Sequence, residues 1–256
     1  MSKVVSVHSY RGGTGKSNIV ANLAASVARQ GYRVGLVDTD IQSPGVHVLF
    51  GFDAEKIDRC LNHYLWGQCA IQDTAYDVSA ALQDTGGAAP AADSALYLLP
   101  ASIRAGDIGR VLREGYDVDL LSDGLEVLVE RLELDYLFVD THPGLNEETL
   151  SCIASSDVLL VLLRPDHQDY QGTAVTVEVA RKLDVPDMQL VVNKVLPVVD
   201  SAAIREQVAR AYDAPVAGVL PVAEELMHLG SLGVFCMRYP EHPWSQELRA
   251  IAGQIR

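Results

Sequence analysis

Residues 4–18 read Val4-Val5-Ser6-Val7-His8-Ser9-Tyr10-Arg11-Gly12-Gly13-Thr14-Gly15-Lys16-Ser17-Asn18. A short apolar run leads into a glycine-rich turn and a Lys-Ser pair. Ile19, Leu23 and Val27 then recur at helical spacing. Strand, turn and helix in this order make an anion cradle, because the first N–H groups of a helix lack intrahelical partners and carry partial positive charge. The Lys16 ammonium suits β- and γ-phosphates, and the Ser17 hydroxyl suits a Mg²⁺ ion bound with them. The general pattern Gly-x-x-x-x-Gly-Lys-[Ser/Thr] is not complete here, because Tyr10 stands where its first glycine would be.

Outward from this unit, apolar runs alternate with helix-length amphipathic stretches. Strands are expected over residues 4–8, 34–38, 96–99, 136–140, 158–163, 189–192 and 216–220, with helices over 17–30, 118–132 and 170–183. The runs are continuous in Val, Leu and Ile rather than alternating, which is the mark of strands buried on both faces. The expected fold is α/β: a mostly parallel, twisted sheet with right-handed crossovers and helices on both faces. Residues 83–94, rich in Gly, Ala and Asp, are expected to form a surface loop, and residues 1–256 a single domain.

Three further clusters fall at strand ends, the edge where open α/β sheets bind ligands. In Asp38-Thr39-Asp40 two carboxylates, two residues apart on an extended chain, are expected to point the same way. Tyr136-Leu137-Phe138-Val139-Asp140 is an apolar strand closed by a carboxylate, the form of a Walker B strand, followed by Thr141-His142-Pro143-Gly144. Asn193 offers a donor and an acceptor at the end of another strand.

Together these motifs resemble the ParA/MinD ATPases, whose variant loop reads Lys-Gly-Gly-x-Gly-Lys-[Ser/Thr]; here Arg11 replaces the signature lysine. The resemblance covers most of the chain and implies a P-loop NTPase of the SIMIBI type that uses ATP and Mg²⁺. It implies that Gly12, Gly13, Thr14, Gly15, Lys16, Ser17 and Asn18 cradle the phosphates, and that Asp38, Ser17 and Asp140 serve the metal. Asp40 would orient the attacking water. Gly144 would offer its N–H to the γ-phosphate, and Asn193 and Pro221 would contact the base. Arg11 would reach the nucleotide of a second subunit in an ATP-dependent homodimer, with an activating protein stimulating turnover. Relatives often have threonine at the place of Asn18, and a small residue or proline at that of His142, which is read as packing within the switch rather than as catalytic.

Composition bounds the partners. The 256 residues are 48% hydrophobic, enough for a large core, and carry a net charge of −14 from 34 acidic and 20 basic residues. That balance disfavours DNA, and Arg104, Arg110 and Arg113 are diluted by Asp107, Glu114 and Asp117. No apolar run is long enough to span a bilayer and no signal peptide is seen, so a cytoplasmic location is expected. Trp244, Leu248, Ile251 and Ile255 form an apolar stripe flanked only by Arg249 and Arg256, which suits a helix packed on the sheet better than a peripheral membrane anchor. Cys60, Cys69, Cys152 and Cys236 lack Cys-x-x-Cys spacing, which argues against an iron–sulfur carrier. No tyrosine-rich tail follows residue 239, which argues against a tyrosine kinase. A pseudo-ATPase scaffold with a structural nucleotide is the alternative left by Arg11, Asn18 and His142.

Overall fold

The computed structural model describes residues 2–83 and 89–255. The strands are β1 (Lys3–His8), β2 (Arg33–Asp38), β3 (Tyr76–Asp77), β4 (Ala95–Leu99), β5 (Tyr136–Asp140), β6 (Val158–Leu163), β7 (Asp187–Val195) and β8 (Val216–Pro221). The helices are α1 (Lys16–Ala28), α2 (Leu61–Leu65), α3 (Ala105–Glu114), α4 (Val118–Arg131), α5 (Glu147–Ala154), α6 (His167–Lys182), α7 (Ser201–Tyr212), α8 (Glu224–Leu229), α9 (Phe235–Arg238) and α10 (Pro243–Gln254). The strands form one sheet in the order β3-β4-β2-β5-β1-β6-β7-β8, parallel except for β3.

The continuous apolar runs are buried on both faces, as expected. Val5, Val7, Tyr136 and Phe138 face α1, α9 and α10, while Leu137 and Val139 face the side of α4. On α10, Trp244, Leu248 and Ile251 are fully buried, so the apolar stripe belongs to the core. Burying each such side chain is worth about 1.5–3 kcal/mol. Phe235 meets the Trp244 ring edge-on at 5.4 Å, which gives the 235–244 segment its place as a core cap.

Strands β5 and β6 have the expected bounds, and β7 extends beyond its apolar run at both ends. The sequence reading missed β3, α2, α3, α5, α7, α8 and α9: β3, α2, α5, α8 and α9 are short and α3 buries only Val111, whereas α7 carries Ile204, Val208 and Tyr212 one turn apart, a stripe that was passed over. Of the expected loop at 83–94, residues 84–88 lie outside the described residues, as does Arg256. Among the described residues no helix is long and apolar enough to cross a membrane.

Candidate functional site

The central strand β1 lies between β5 and β6, and the chain leaves it into the glycine-rich turn. Gly13 (φ +77°) and Gly15 (φ +99°) take the left-handed conformation that costs most other residues strain. Gly15 is the N-cap of α1, with no side-chain cap and no acidic residue in the first turn. No backbone N–H of residues 12–17 donates to another described residue. The carbonyls of Gly13 and Thr14 accept from the neighbouring strand end: Lys194 Nζ donates to the first at 2.8 Å, Asn193 Nδ2 to the second at 2.7 Å. The turn is thereby held open as a row of unused donors.

Beside it, β2 and β5 bring Asp38 and Asp140 into direct register. Asp140 Oδ2 accepts from Ser17 Oγ at 2.6 Å, while Oδ1 is buried with no partner among the described residues. Burial raises the Asp140 carboxyl to about 6, against the pull of the Lys16 ammonium and the Ser17 hydroxyl. Asp38 is also fully buried, and burial and the Asp140 charge push it well above the usual carboxylate range. Its oxygens are occupied, however: Oδ1 accepts from Asp40 N, and Oδ2 from Gly45 N and Val46 N. The two carboxylates of Asp38-Thr39-Asp40 therefore do not form a matched pair toward one ligand. Asp38 folds into its own loop, because that loop curls back with its N–H groups. Among the described residues Asp40 is anchored through Oδ1, which accepts from Ser43 N (3.0 Å) and Ser43 Oγ (2.9 Å).

Two histidines border these groups. His142 Nδ1 donates to Pro143 O at 2.6 Å, so in the neutral ring Nε2, 3.9 Å from Asp40 Oδ1, carries no proton. His8, which sequence reasoning passed over, ends β1 fully buried. Thr141 Oγ1 donates to Val7 O, so His8 Nδ1 is the donor to Thr141 and its Nε2 is left bare. Burial and the Lys16 charge hold the His8 ring neutral, with its pKa lowered to about 3. A polar residue closing an apolar strand was the available signal.

At the start of the turn, Arg11 lies with Nε 3.8 Å from Asp169 Oδ1 in its own chain. Asp169 is gripped much more firmly by Arg164, through Nε (2.9 Å), Nη2 (3.1 Å) and the backbone N–H (2.9 Å). The Tyr10 ring lies against Gly172 of α6, where even a methyl group would collide with it. Gly144 (φ +86°) donates its N–H to Ser9 O at 3.2 Å, so the donor expected to face a phosphate is here used to stitch the 140–146 loop to the turn.

A cavity of ≈ 540 Å³ opens beside the turn, lined by Gly15, Asn18, Asn193, Pro221, Met227 and Trp244, among others. It lies within the usual range for a small-molecule site. Asn18, Asn193 and Pro221 thus do converge on one space, with Asn193 spending its amide N–H₂ on Thr14 O.

A family model described as an AAA domain matches residues 2–191. The chain belongs to the ParA/MinD family. This family member is 24% identical over its whole length to an uncharacterized ATP-binding protein of Methanocaldococcus jannaschii, covering 88% of it. It is 26% identical over 90% of its length to the flagellum site-determining protein YlxH of Helicobacter pylori, covering 69% of that protein. It is 23% identical over 98% of its length to an iron-sulfur cluster carrier protein of Pyrococcus horikoshii, covering 84%. The septum site-determining protein MinD of Pyrococcus horikoshii, solved with Mg-ADP, shares the fold: TM-score 0.79, 19% identity, 100% of this chain and 96% of that one. The ParA/MinD chain thus has a P-loop NTPase fold with an eight-stranded, mostly parallel sheet.

The residues present suit a magnesium nucleotide. Unused N–H groups fit phosphate oxygens. The Asp140 Oδ1 that is without a partner among the described residues, beside Ser17 Oγ, fits a hard cation.

Proposed function

We propose that this ParA/MinD member binds Mg·ATP, hydrolyses it slowly, and uses the bound state as a dimerisation switch that positions a cellular cargo with the help of an activating protein. The observation that carries this reading is the buried, unpartnered Asp140 Oδ1 next to Ser17 and Lys16, at the mouth of a turn whose N–H groups are unused. Bound Mg²⁺ would supply charge neutralisation at the phosphates.

The chain's own residues do the rest. Lys16 and the N–H groups of Gly12, Gly13, Thr14 and Gly15 fix the phosphates, and Ser17 and Asp140 hold the metal. Asp40, held through Oδ1 alone, keeps Oδ2 available to orient a water for in-line attack. Asp38, with both oxygens engaged by backbone N–H groups, shapes the loop that presents Asp40. It reaches a metal only if that loop releases Gly45 and Val46. Asn18, Asn193 and Pro221 border the base, and Gly144 reports on the γ-phosphate when it leaves Ser9. Arg11, tied loosely at 3.8 Å, is the group free to reach a second subunit's nucleotide.

DNA is disfavoured as the matrix: Arg110 is spent on Glu114 and on the Trp66 ring, and Arg104 on the carbonyls of Ala54 and Ile57. The test is light scattering of Asp40→Ala with Mg·ATP, Mg·ADP or no nucleotide. A dimer with Mg·ATP alone is expected. A mass unaffected by nucleotide would refute the switch and favour a scaffold.

A further inference from the structure

His142 and Asp40 turn two acceptors toward one another. His142 Nδ1 donates to Pro143 O at 2.6 Å, which leaves Nε2 of the neutral ring as a bare lone pair, 3.9 Å from Asp40 Oδ1. That is too long for a direct hydrogen bond, and neither atom has a proton to offer. Asp40 Oδ1 is filled by Ser43 N and Ser43 Oγ, and Oδ2 accepts nothing among the described residues. The side chains are partly open to solvent, 23% for His142 and 13% for Asp40. A small molecule can therefore reach them, unlike the fully buried His8 and Asp38.

The segment that carries His142 is fixed on both sides. Asp140 is held by Ser17, Gly144 donates to Ser9 O, and the His142 carbonyl accepts from Thr149 Oγ1 at 3.4 Å. Ser9 and Ser17 bracket the glycine-rich turn, so the imidazole is tied to the turn whose N–H groups are unused. Asp40 arrives from the neighbouring strand, two residues after the Asp38 that is in register with Asp140. An occupant of the gap between His142 and Asp40 must be small and must donate twice. Mg²⁺ is a poor match for the ring nitrogen, because it takes oxygen ligands. Water meets both demands. Two hydrogen bonds of about 2.8 Å at a tetrahedral angle join acceptors about 4.4 Å apart, and the His142–Asp40 gap is of that order. A water held by both O–H bonds has its lone pairs directed away from the two side chains.

We propose that His142 is a catalytic residue of the ATPase: its Nε2 and Asp40 Oδ2 each accept one O–H of the attacking water and aim its lone pair at the γ-phosphorus. This role rests on the ATPase reading. The water oxygen bonds to the γ-phosphorus as the bond to the β–γ bridging oxygen breaks, its electron pair staying on ADP. One water proton passes to a phosphoryl oxygen and the other stays on the attacking oxygen, so the products are ADP and dihydrogen phosphate. Neither side chain has to change its protonation. Asp40 alone fixes one O–H and leaves the water free to turn about that bond. The second acceptor removes that freedom, and a misaimed nucleophile costs heavily in rate. The Pro143 carbonyl sets the ring tautomer, so Nε2 is the acceptor presented.

The first arm uses no nucleotide. In the full chain labelled with nitrogen-15 histidine, NMR at pH 8 should show the neutral His142 ring protonated on Nδ1 and bare on Nε2, the signal being assigned by its loss in His142→Gln. A proton on Nε2 instead would overturn the proposal. The second arm compares His142→Gln, which keeps an acceptor oxygen near the Nε2 position, with His142→Leu and His142→Ala, which have none. Affinity for Mg·ADP should stay within twofold of wild type in all three, which also shows that they fold. Affinity for Mg·ADP with tetrafluoroaluminate, which holds a water in line, should fall at least tenfold in the Leu and Ala variants and less than threefold in the Gln variant. Turnover should follow the same order, with kcat at least tenfold lower in the Leu and Ala variants and KM within twofold of wild type. Unchanged tetrafluoroaluminate affinity and kcat without the acceptor, or equal losses in all three variants, would overturn the proposal and leave the ATPase standing. Loss of Mg·ADP binding in the Leu and Ala variants alike would make His142 structural and overturn it too. A wild-type chain that neither binds Mg·ADP nor turns over ATP would sink the ATPase reading itself, and the wild-type arm alone identifies that case.

Discussion

Asp169 is shared by two arginines, and the structure predicts that they serve it very unequally. Arg11 approaches at 3.8 Å with its side chain 44% exposed, the geometry of a surface ion pair worth about 0.2–1 kcal/mol. Arg164 makes a two-point bond of 2.9 and 3.1 Å, plus a backbone N–H, to a carboxylate that is 2% exposed. Burial raises the Asp169 pKa, but the Arg164 hydrogen bonds more than offset this and hold the carboxyl below its usual range. Removing one partner of a buried pair costs about 3–5 kcal/mol; because Arg164 is itself 30% exposed, about 2–3 kcal/mol is expected here. In urea unfolding of the nucleotide-free chain, Arg11→Ala should therefore stay within about 1 kcal/mol of wild type, while Asp169→Ala loses at least 2 kcal/mol. In an Asp40→Ala background with Mg·ATP, Arg11→Ala should remain monomeric by light scattering and Arg11→Lys should dimerise. A large stability loss in Arg11→Ala would make Arg11 a structural latch. A dimer formed without Arg11 would end its role between subunits.

Asp140→Asn should abolish nucleotide-linked stabilisation: excess Mg·ADP at a hundred times its Kd adds about 2.7 kcal/mol to wild type, and neither the variant nor EDTA-treated wild type should show the accompanying rise in Tm. An equal rise in the variant would exclude Asp140 from the metal site. Glu148→Gln tests a buried carboxyl raised to about 7, chiefly by burial and further by Asp40, with Tyr116 pulling it down. A raised folded-state pKa means that protonation favours the fold, so the Glu148 contribution is intact below pH 4.5 and lost as pH rises to about 7. The resulting penalty is at most about 3 kcal/mol above pH 7, so the variant should gain about 1–3 kcal/mol at pH 8 and under about 1 kcal/mol at pH 5. A pH-independent difference would contradict this. Trp244→Ala should cost about 3–5 kcal/mol in chemical denaturation; a loss below 1 kcal/mol would mean that α10 is not part of the core.

The sheet was legible because its information is local. An uninterrupted run such as Val158–Leu163 tolerates only one environment, and Gly12 to Ser17 with the helical spacing behind them admit only one kind of turn. The short elements were not legible, because α5 and α8 each begin with two glutamates and are held in place by tertiary contacts rather than by an apolar stripe. Arg164 and Asp169 were missed although they lie only five residues apart, because a single Arg and Asp at that spacing carry no periodic signal. Lys194 was noted beside Asn193, but its bond to the Gly13 carbonyl crosses 181 residues and no local pattern encodes that partner.

Asp38 and Asp140 show where the limit lies. Both are aspartates at the end of apolar strands, both are fully buried, and they are neighbours in register. Sequence placed both at the metal, yet their oxygens meet different fates. The chain after Asp38 turns back on itself and brings Gly45 N and Val46 N to Oδ2 and Asp40 N to Oδ1. After Asp140 the N–H groups go elsewhere, Thr141 N to Val7 O and Gly144 N to Ser9 O. One carboxylate is satisfied by its own loop. The other keeps an unpaired oxygen because its loop is tied to β1 and the glycine-rich turn. The availability of a ligand at this site is thus decided by where the following residues send their hydrogen bonds. It follows that the tie from Gly144 to Ser9 both leaves Asp140 Oδ1 open and is the bond that must break for Gly144 to reach a phosphate. Under the proposed function, the same few ångströms that leave the carboxylate open to a cation would register the arrival of the nucleotide.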